Sequence, residues 1–245
     1  MIPNKNDFYE LVKQGKTAKE LSKSYGVTQR TIRNWANSLN LQLSHATRRK
    51  YPLNEKYFDN IDCEEKAYFL GFIMADGFVN DKSLGIALKN EDSYILEHLA
   101  LSLGMDGYNL SSKKNGTQKI IYVCSKYLVN SLNNHGVTKN KTFTLKFPNI
   151  DKKYIRHFLR GYFDGDGYIG KRHCNVIISS DDFLSEFLRI YQEKEGTEPY
   201  IQKKNNSYSV YFYKKNASFI QWIYENNNIS LKRKNKNFVD YWESL

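Results

Sequence analysis

The chain has 245 residues with 37 Lys plus Arg against 26 Asp plus Glu, a formal net charge of +11 and a pI near 9.3. That excess of cations attracts phosphate backbones and makes the attraction salt-dependent, so a nucleic-acid partner is expected. No apolar run is long enough to span a membrane, and Cys63, Cys124 and Cys174 are odd in number and unpaired in spacing; a membrane protein, a disulfide framework and a zinc site are all disfavoured.

Residues 1–43 are predicted to form a separate helical unit. Thr17 stands three residues before Glu20, the pattern of a capping box, and Gly26-Val27 supplies a tight turn before Thr28 caps a helix over Gln29–Ser38. Leu11, Ala18, Leu21, Val27, Ile32 and Trp35 fall where a three-helix core needs them. The unit resembles a helix-turn-helix DNA-binding domain, which puts Gln29, Arg30, Arg33 and Asn34 within reach of phosphates and base edges. A basic linker over 44–60 follows. Its run Arg48-Arg49-Lys50 adds two further candidate DNA contacts, Arg48 and Arg49.

Two related runs come next: Tyr68-Phe69-Leu70-Gly71-Phe72-Ile73-Met74-Ala75-Asp76-Gly77 and Phe158-Leu159-Arg160-Gly161-Tyr162-Phe163-Asp164-Gly165-Asp166-Gly167. Asp166 follows Asp76 by 90 residues, so each copy heads one half, 61–151 and 152–245, of a pseudo-dimer. Gly71 and Ala75 are four apart, as are Gly161 and Gly165, which leaves one face of each helix almost bare. Two such helices can cross with backbones nearly touching, and the crossing brings Asp76 and Asp166 into one small volume. Carboxylates that close repel unless a cation joins them, and the negative ends of two helix dipoles add to the demand. Gly77 and Gly167 are expected to be left-handed residues that stop each helix and free its last carbonyls as oxygen ligands. Hard oxygen donors with room for water suit Mg²⁺, with Mn²⁺ able to substitute. An EF-hand reading of Asp164–Ile169 fails, because its first and twelfth positions would be Tyr162 and His173.

The repeat continues past the motifs. Each half reads αββαββα: Ile86–Asp92 and Val176–Asp182 each precede an apolar-periodic helix, with Asp92 and Asp182 where the helix would begin. Hairpins follow around Asn115-Gly116 and Asn205-Asn206, then helices Tyr127–Asn134 and Ala217–Asn227. The fold class is α+β, two antiparallel sheets behind an all-α N-terminal unit. Lys113, Lys114, Lys119, Arg172, Lys203 and Lys204 stand on the predicted hairpins, where two sheets lying along DNA would present them to the major groove.

The paired motifs resemble those of the LAGLIDADG homing endonucleases in their single-chain, two-motif form. The resemblance covers about residues 61–245 and implies metal-dependent hydrolysis of both strands of a long, non-palindromic DNA target by a monomer. Asp76 and Asp166 match the metal-binding acids. The earlier acidic position is kept as Asp164 but is Met74 in the first motif, a position the family uses for helix structure or peripheral contacts. The family also places a basic residue near each active site. Lys141 matches it in the first half; in the second, Lys234 and Arg233 remain open. The same fold serves RNA-splicing maturases, which would make intron RNA the partner, and an inert body behind a helix-turn-helix would make a transcriptional regulator; both acids being present favours the nuclease. The chain begins without the Cys or Ser of an intein and ends in Trp242–Leu245, so a free protein is expected, in a cytoplasmic, phage or organellar interior.

Overall fold

In the computed structural model of the chain, residues 4–14, 16–41, 43 and 51–242 are described; Arg48 and Arg49 lie outside them. The chain divides into Met1–Pro52 and Leu53–Leu245.

The first unit holds α1 (Lys5–Lys13), α2 (Ala18–Tyr25) and α3 (Gln29–Ser38). Thr17 and Glu20 close the expected capping box, Gly26 ends α2 at φ 63°, and Thr28 accepts from the Thr31 amide at the start of α3. The core centre is Phe8, Val12, Leu21, Ile32 and Ala36. Of these the sequence pattern picks out only Leu21 and Ile32; Leu11, Ala18, Val27 and Trp35 pack around the centre, partly buried. Phe8 escapes the pattern because α1 carries too few apolar residues to show a period. Its ring meets Tyr25 and Trp35 edge to face at 5.9 and 5.8 Å.

The second unit runs α4 (Glu64–Asp76), β1 (Gly77–Val79), β2 (Ser83–Lys89), α5 (Ser93–Ser102), β3 (Ser111–Lys113), β4 (Gln118–Cys124) and α6 (Lys126–Asn134). It then repeats as α7 (Ile155–Asp166), β5 (Gly167–Ile169), β6 (His173–Ile178), α8 (Asp181–Glu195), β7 (Tyr200–Lys204), β8 (Ser207–Tyr213) and α9 (Ser218–Tyr224), and adds α10 (Lys232–Tyr241). The two antiparallel sheets have the orders β1-β2-β4-β3 and β5-β6-β8-β7. Gly77 pairs with Ile86 and Gly167 with Val176, so the 90-residue shift holds strand by strand. The α+β class and the αββαββα halves stand. The added helix α10 escapes the sequence reading because it is basic and carries a single fully enclosed apolar residue, Phe238, ahead of Trp242.

Three local expectations are corrected. The first hairpin turns through four residues, 114–117, with positive φ at Lys114, Asn115 and Gly116, because Lys113 pairs with Gln118; the second does turn on Asn205-Asn206. At the helix starts, α8 is capped by the Ser180 side chain, while Asp92 caps nothing and is drawn off by Arg233 at 3.0 Å. Gly77 and Gly167 are extended rather than left-handed, at φ −79° and −100°. They must be glycine because a Cβ would run into the helix behind them, at the Ile73 and Phe163 carbonyls.

Helices α4 and α7 cross as their small residues require. A methyl on Gly71 would overlap the Phe158 carbonyl oxygen and stand 2.8 Å from the Tyr162 amide nitrogen. A methyl on Gly161 would overlap the Tyr68 carbonyl oxygen and stand 2.9 Å from the Phe72 nitrogen. Gly165 sits against Ala75 in the same way. Around the crossing Tyr68, Phe69, Phe72, Phe158 and Phe163 are fully buried, so the crossing is the centre of the core as well as its axis.

Candidate active site at the helix crossing

The crossing delivers Asp76 and Asp166, each the last residue of its helix, to one place. Burial raises the pKa of Asp166 to about 6, and the neighbouring negative charge of Asp76 pushes the same way. Asp76 is solvent-exposed at its outer side, yet the protein packed around it still lifts its pKa by desolvation, against the pull of Lys234, Lys141 and Arg233. The pair thus carries more negative charge than its surroundings neutralise comfortably.

Two lysines face it. Lys141 donates to the Gly77 carbonyl at 2.6 Å, and burial lowers its pKa while both acids hold it up. Lys234 is buried and donates to the carbonyls of Phe163 and Asp164, each at 2.7 Å, and of Gly167 at 2.5 Å; burial brings its pKa down to about 8. Arg233 instead pairs with Asp92 and stays half-exposed. The ambiguity between Arg233 and Lys234 therefore closes on geometry: Lys234 is the counterpart of Lys141, both reaching the first carbonyl after the helix. Those carbonyls, expected as free ligands, are occupied by ammonium groups.

Positions 74 and 164 are not peripheral. Met74 is buried, and Asp164 is completely enclosed. The Asp164 carboxylate accepts from Tyr68 Oη at 2.8 Å, Tyr224 Oη at 2.6 Å and the Leu231 amide at 2.6 Å. One turn away, the buried Arg160 donates to the carbonyls of Ile229 and Ile223 and to Glu64 of the other half at 2.6 Å. This polar network binds the 223–234 segment to α7, and so positions Lys234. Sequence reasoning overlooks it because its partners lie more than 60 residues from α7 and follow no period.

Among the described residues no group of three or more His, Cys, Asp or Glu gathers to hold a metal. A cation at the crossing would have two carboxylates and would complete its shell with water or phosphate oxygens. Mg²⁺ accepts such a shell readily, and the lifted acid pKa values agree with a site that favours a cation. The donor set fits the ion.

The sheets sort the remaining candidates by face, since successive strand residues point to opposite sides. Lys113 shares the open face with Tyr122 and Phe78, away from the helices, and Lys204 shares it with Ser207. Lys119 and Lys203 lie in the other register: Lys119 Nζ donates to Ser112 Oγ and Lys203 covers the Tyr208 ring. The expectation that all of these lysines face DNA together is therefore corrected for Lys119 and Lys203. Lys114 and Arg172 are exposed in the turns. In the first unit Gln29, Arg30, Arg33 and Asn34 are exposed on α3, with Arg33 donating to Gln29 at 3.2 Å.

The acid pair sets a measurable stability pattern. A carboxyl whose pKa is raised on folding stabilises the fold fully below its ordinary 3.8 and loses that contribution as pH rises through about 6. Asp166→Asn, free of that charge, should be more stable than the parent at pH 8 in chelator, by about 1–2 kcal/mol after allowing for its partial exposure. Thermal melts should show a rise of about 2–6 °C that disappears by pH 4. Equal melting points at pH 8 would count against the repulsion.

A family model described as "LAGLIDADG-like domain" matches residues 153–240. Among curated proteins, the replication factor C small subunit of Methanocaldococcus jannaschii is 27% identical over 187 residues, 73% of this chain but 10% of that protein; the chain spans only a small part of the curated relatives it matches. Among solved structures, the homing endonuclease I-WcaI bound to its DNA recognition sequence superposes with a TM-score of 0.54 at 14% identity, covering 81% of this chain and 96% of that one. I-SmaMI bound to an uncleaved DNA target in the presence of calcium ions gives 0.50 at 14% identity, over 71% and 88%. With a helix crossing, two matching sheets and this domain match in its second half, the chain has the double-motif LAGLIDADG-like fold.

Proposed function

We propose that the protein is a site-specific endonuclease that hydrolyses both strands of double-stranded DNA with Mg²⁺. The observation that carries this is the doubled acid–lysine arrangement at the crossing. Each half supplies one carboxylate at its helix end and one lysine against the following glycine carbonyl. Asp76 and Asp166 hold the divalent cations, which when bound activate water and stabilise the leaving oxygens. Lys234, pinned by three carbonyls, and Lys141, held by one, are fixed positive charges that offset the charge of the scissile phosphates. The open sheet faces lie along the duplex. The N-terminal unit, read as a helix-turn-helix, lengthens the contact through Gln29, Arg30, Arg33 and Asn34. One chain holds both acids, so it acts as a monomer.

Purified protein incubated with a plasmid library of randomised inserts tests the reading. Linear products should appear with Mg²⁺ or Mn²⁺ and vanish in chelator, and light scattering should find one chain on each cleaved target. Selective duplex binding without any linear product would reassign the chain to a binding role, as a regulator; selective capture of structured RNA instead would indicate a maturase.

A further inference from the structure

The two open sheet faces differ in chemistry. On the first, Phe78 lies flat on Gly85 with Lys113 Nζ 5.7 Å from its ring. The Tyr122 hydroxyl there is bonded to Ser83 Oγ at 2.6 Å and to Asn80. On the second, the register puts Tyr168, Asn175, Tyr211 and Tyr200 in one row across four strands, with His173 and Tyr213 in the next row but one. His173 is the hub, 5.7 Å from the Tyr168 ring, 5.6 Å from Tyr211 and 6.4 Å from Tyr213; Tyr200 and Tyr211 are 5.7 Å apart. Tyr168 and Tyr200 are 54% and 58% exposed, high for rings in a sheet. Exposed cations stand at the margins of this face: Lys171 and Arg172 in the β5–β6 turn, Lys204 at the hairpin tip. The hollow shared by Tyr200, Tyr211 and Tyr213 is walled by Glu195 and Glu198, and carboxylates there disfavour a phosphate.

We infer that the five rings and one amide of this second face, Tyr168, His173, Asn175, Tyr200, Tyr211 and Tyr213, determine sequence specificity for one half of the DNA target by apolar contact with thymine methyls in the major groove. The inference rests on the duplex-binding reading above and names how that half is read. Phosphate contacts fix position and carry no sequence information, and the marginal cations supply them. Aromatic edges and faces meet the thymine C5-methyl, a group that distinguishes T·A from every other pair in the major groove. The first face, with Lys89 and Lys113 in its open register, depends more on charge.

Selection of duplexes from a random library by the full chain in Ca²⁺ provides the target. Wild-type protein should enrich a site in which one half is rich in thymine. Replacing those thymines by deoxyuridine, which lacks the methyl, should weaken binding about tenfold, and the same change in the other half should not. Tyr168→Ser and Tyr211→Ser should erase the preference in that half alone and leave the salt slope unchanged. Lys204→Ala should do the reverse, lowering the slope by about one while keeping the preference. A half-site preference that survives both serine variants, or indifference to deoxyuridine, overturns the assignment while leaving duplex binding intact. A wild-type chain that enriches no duplex at all refutes the DNA-binding reading and this inference with it.

Discussion

Asp76→Asn and Asp166→Asn are each expected to reduce double-strand cleavage by on the order of 10³-fold or more, since each removes one of the two carboxylates that the crossing offers to metal. The substitutions keep size and hydrogen-bonding shape. Neither residue lies on an open sheet face, so affinity for the selected duplex in Ca²⁺ should change by less than about threefold. The two variants need not be identical. Asp166 is the more enclosed of the pair, and its neutralisation relieves the larger strain. A gel assay resolving nicked from linear plasmid would reveal any difference, with nicks persisting longer in one variant than the other. Wild-type rates of linearisation from either variant would end the two-acid proposal.

The second large effect lies at the crossing. Gly161→Ala should cost about 3 kcal/mol or more, because the added methyl meets the Tyr68 carbonyl and the Phe72 nitrogen, which are backbone atoms unable to turn aside. For a unit of this size that is a fall in melting temperature of about 6–12 °C. Gly116→Ala is the comparison. Its φ of +85° strains an L-residue, but nothing lies within 4 Å of the new methyl, so about 1 kcal/mol is expected. If the two variants melt together, the helices must be able to part, and the acids would then not be held at a fixed separation.

Whatever follows a period or repeats was legible in the sequence. The two motifs, their spacing of 90 residues and the small residues at 71, 75, 161 and 165 announced the crossing. The Thr17–Glu20 box and the Asn205-Asn206 turn announced local geometry that the structure has. What stayed hidden depended on register or on long separations. Lys113 and Lys119 look alike among the basic residues, and only the pairing Lys113↔Gln118 puts them on opposite faces. The tyrosines of the second sheet alternate with core residues as in any half-buried strand, so their convergence on His173 needed the cross-strand alignment. Arg233 and Lys234 were inseparable by counting, and separated once Asp92 was found to claim the arginine. The glycines after the helices were identified for the wrong reason: both are required by a close approach, and neither by a left-handed turn.

The enclosed carboxylate of Asp164 also bears on the order in which the protein is made. Two of its three donors, Tyr224 and the Leu231 amide, belong to the far end of the chain, as does Lys234 itself. A ribosome that has just delivered residue 166 has made both acids, but the chain it holds has a core aspartate with only Tyr68 to satisfy it. Desolvating a carboxylate on those terms is costly, so the crossing cannot close firmly until some sixty further residues have emerged. A truncated translation product therefore lacks the groups that close the crossing and set Lys234 beside the acids. Completion of the chain and assembly of the site become one event.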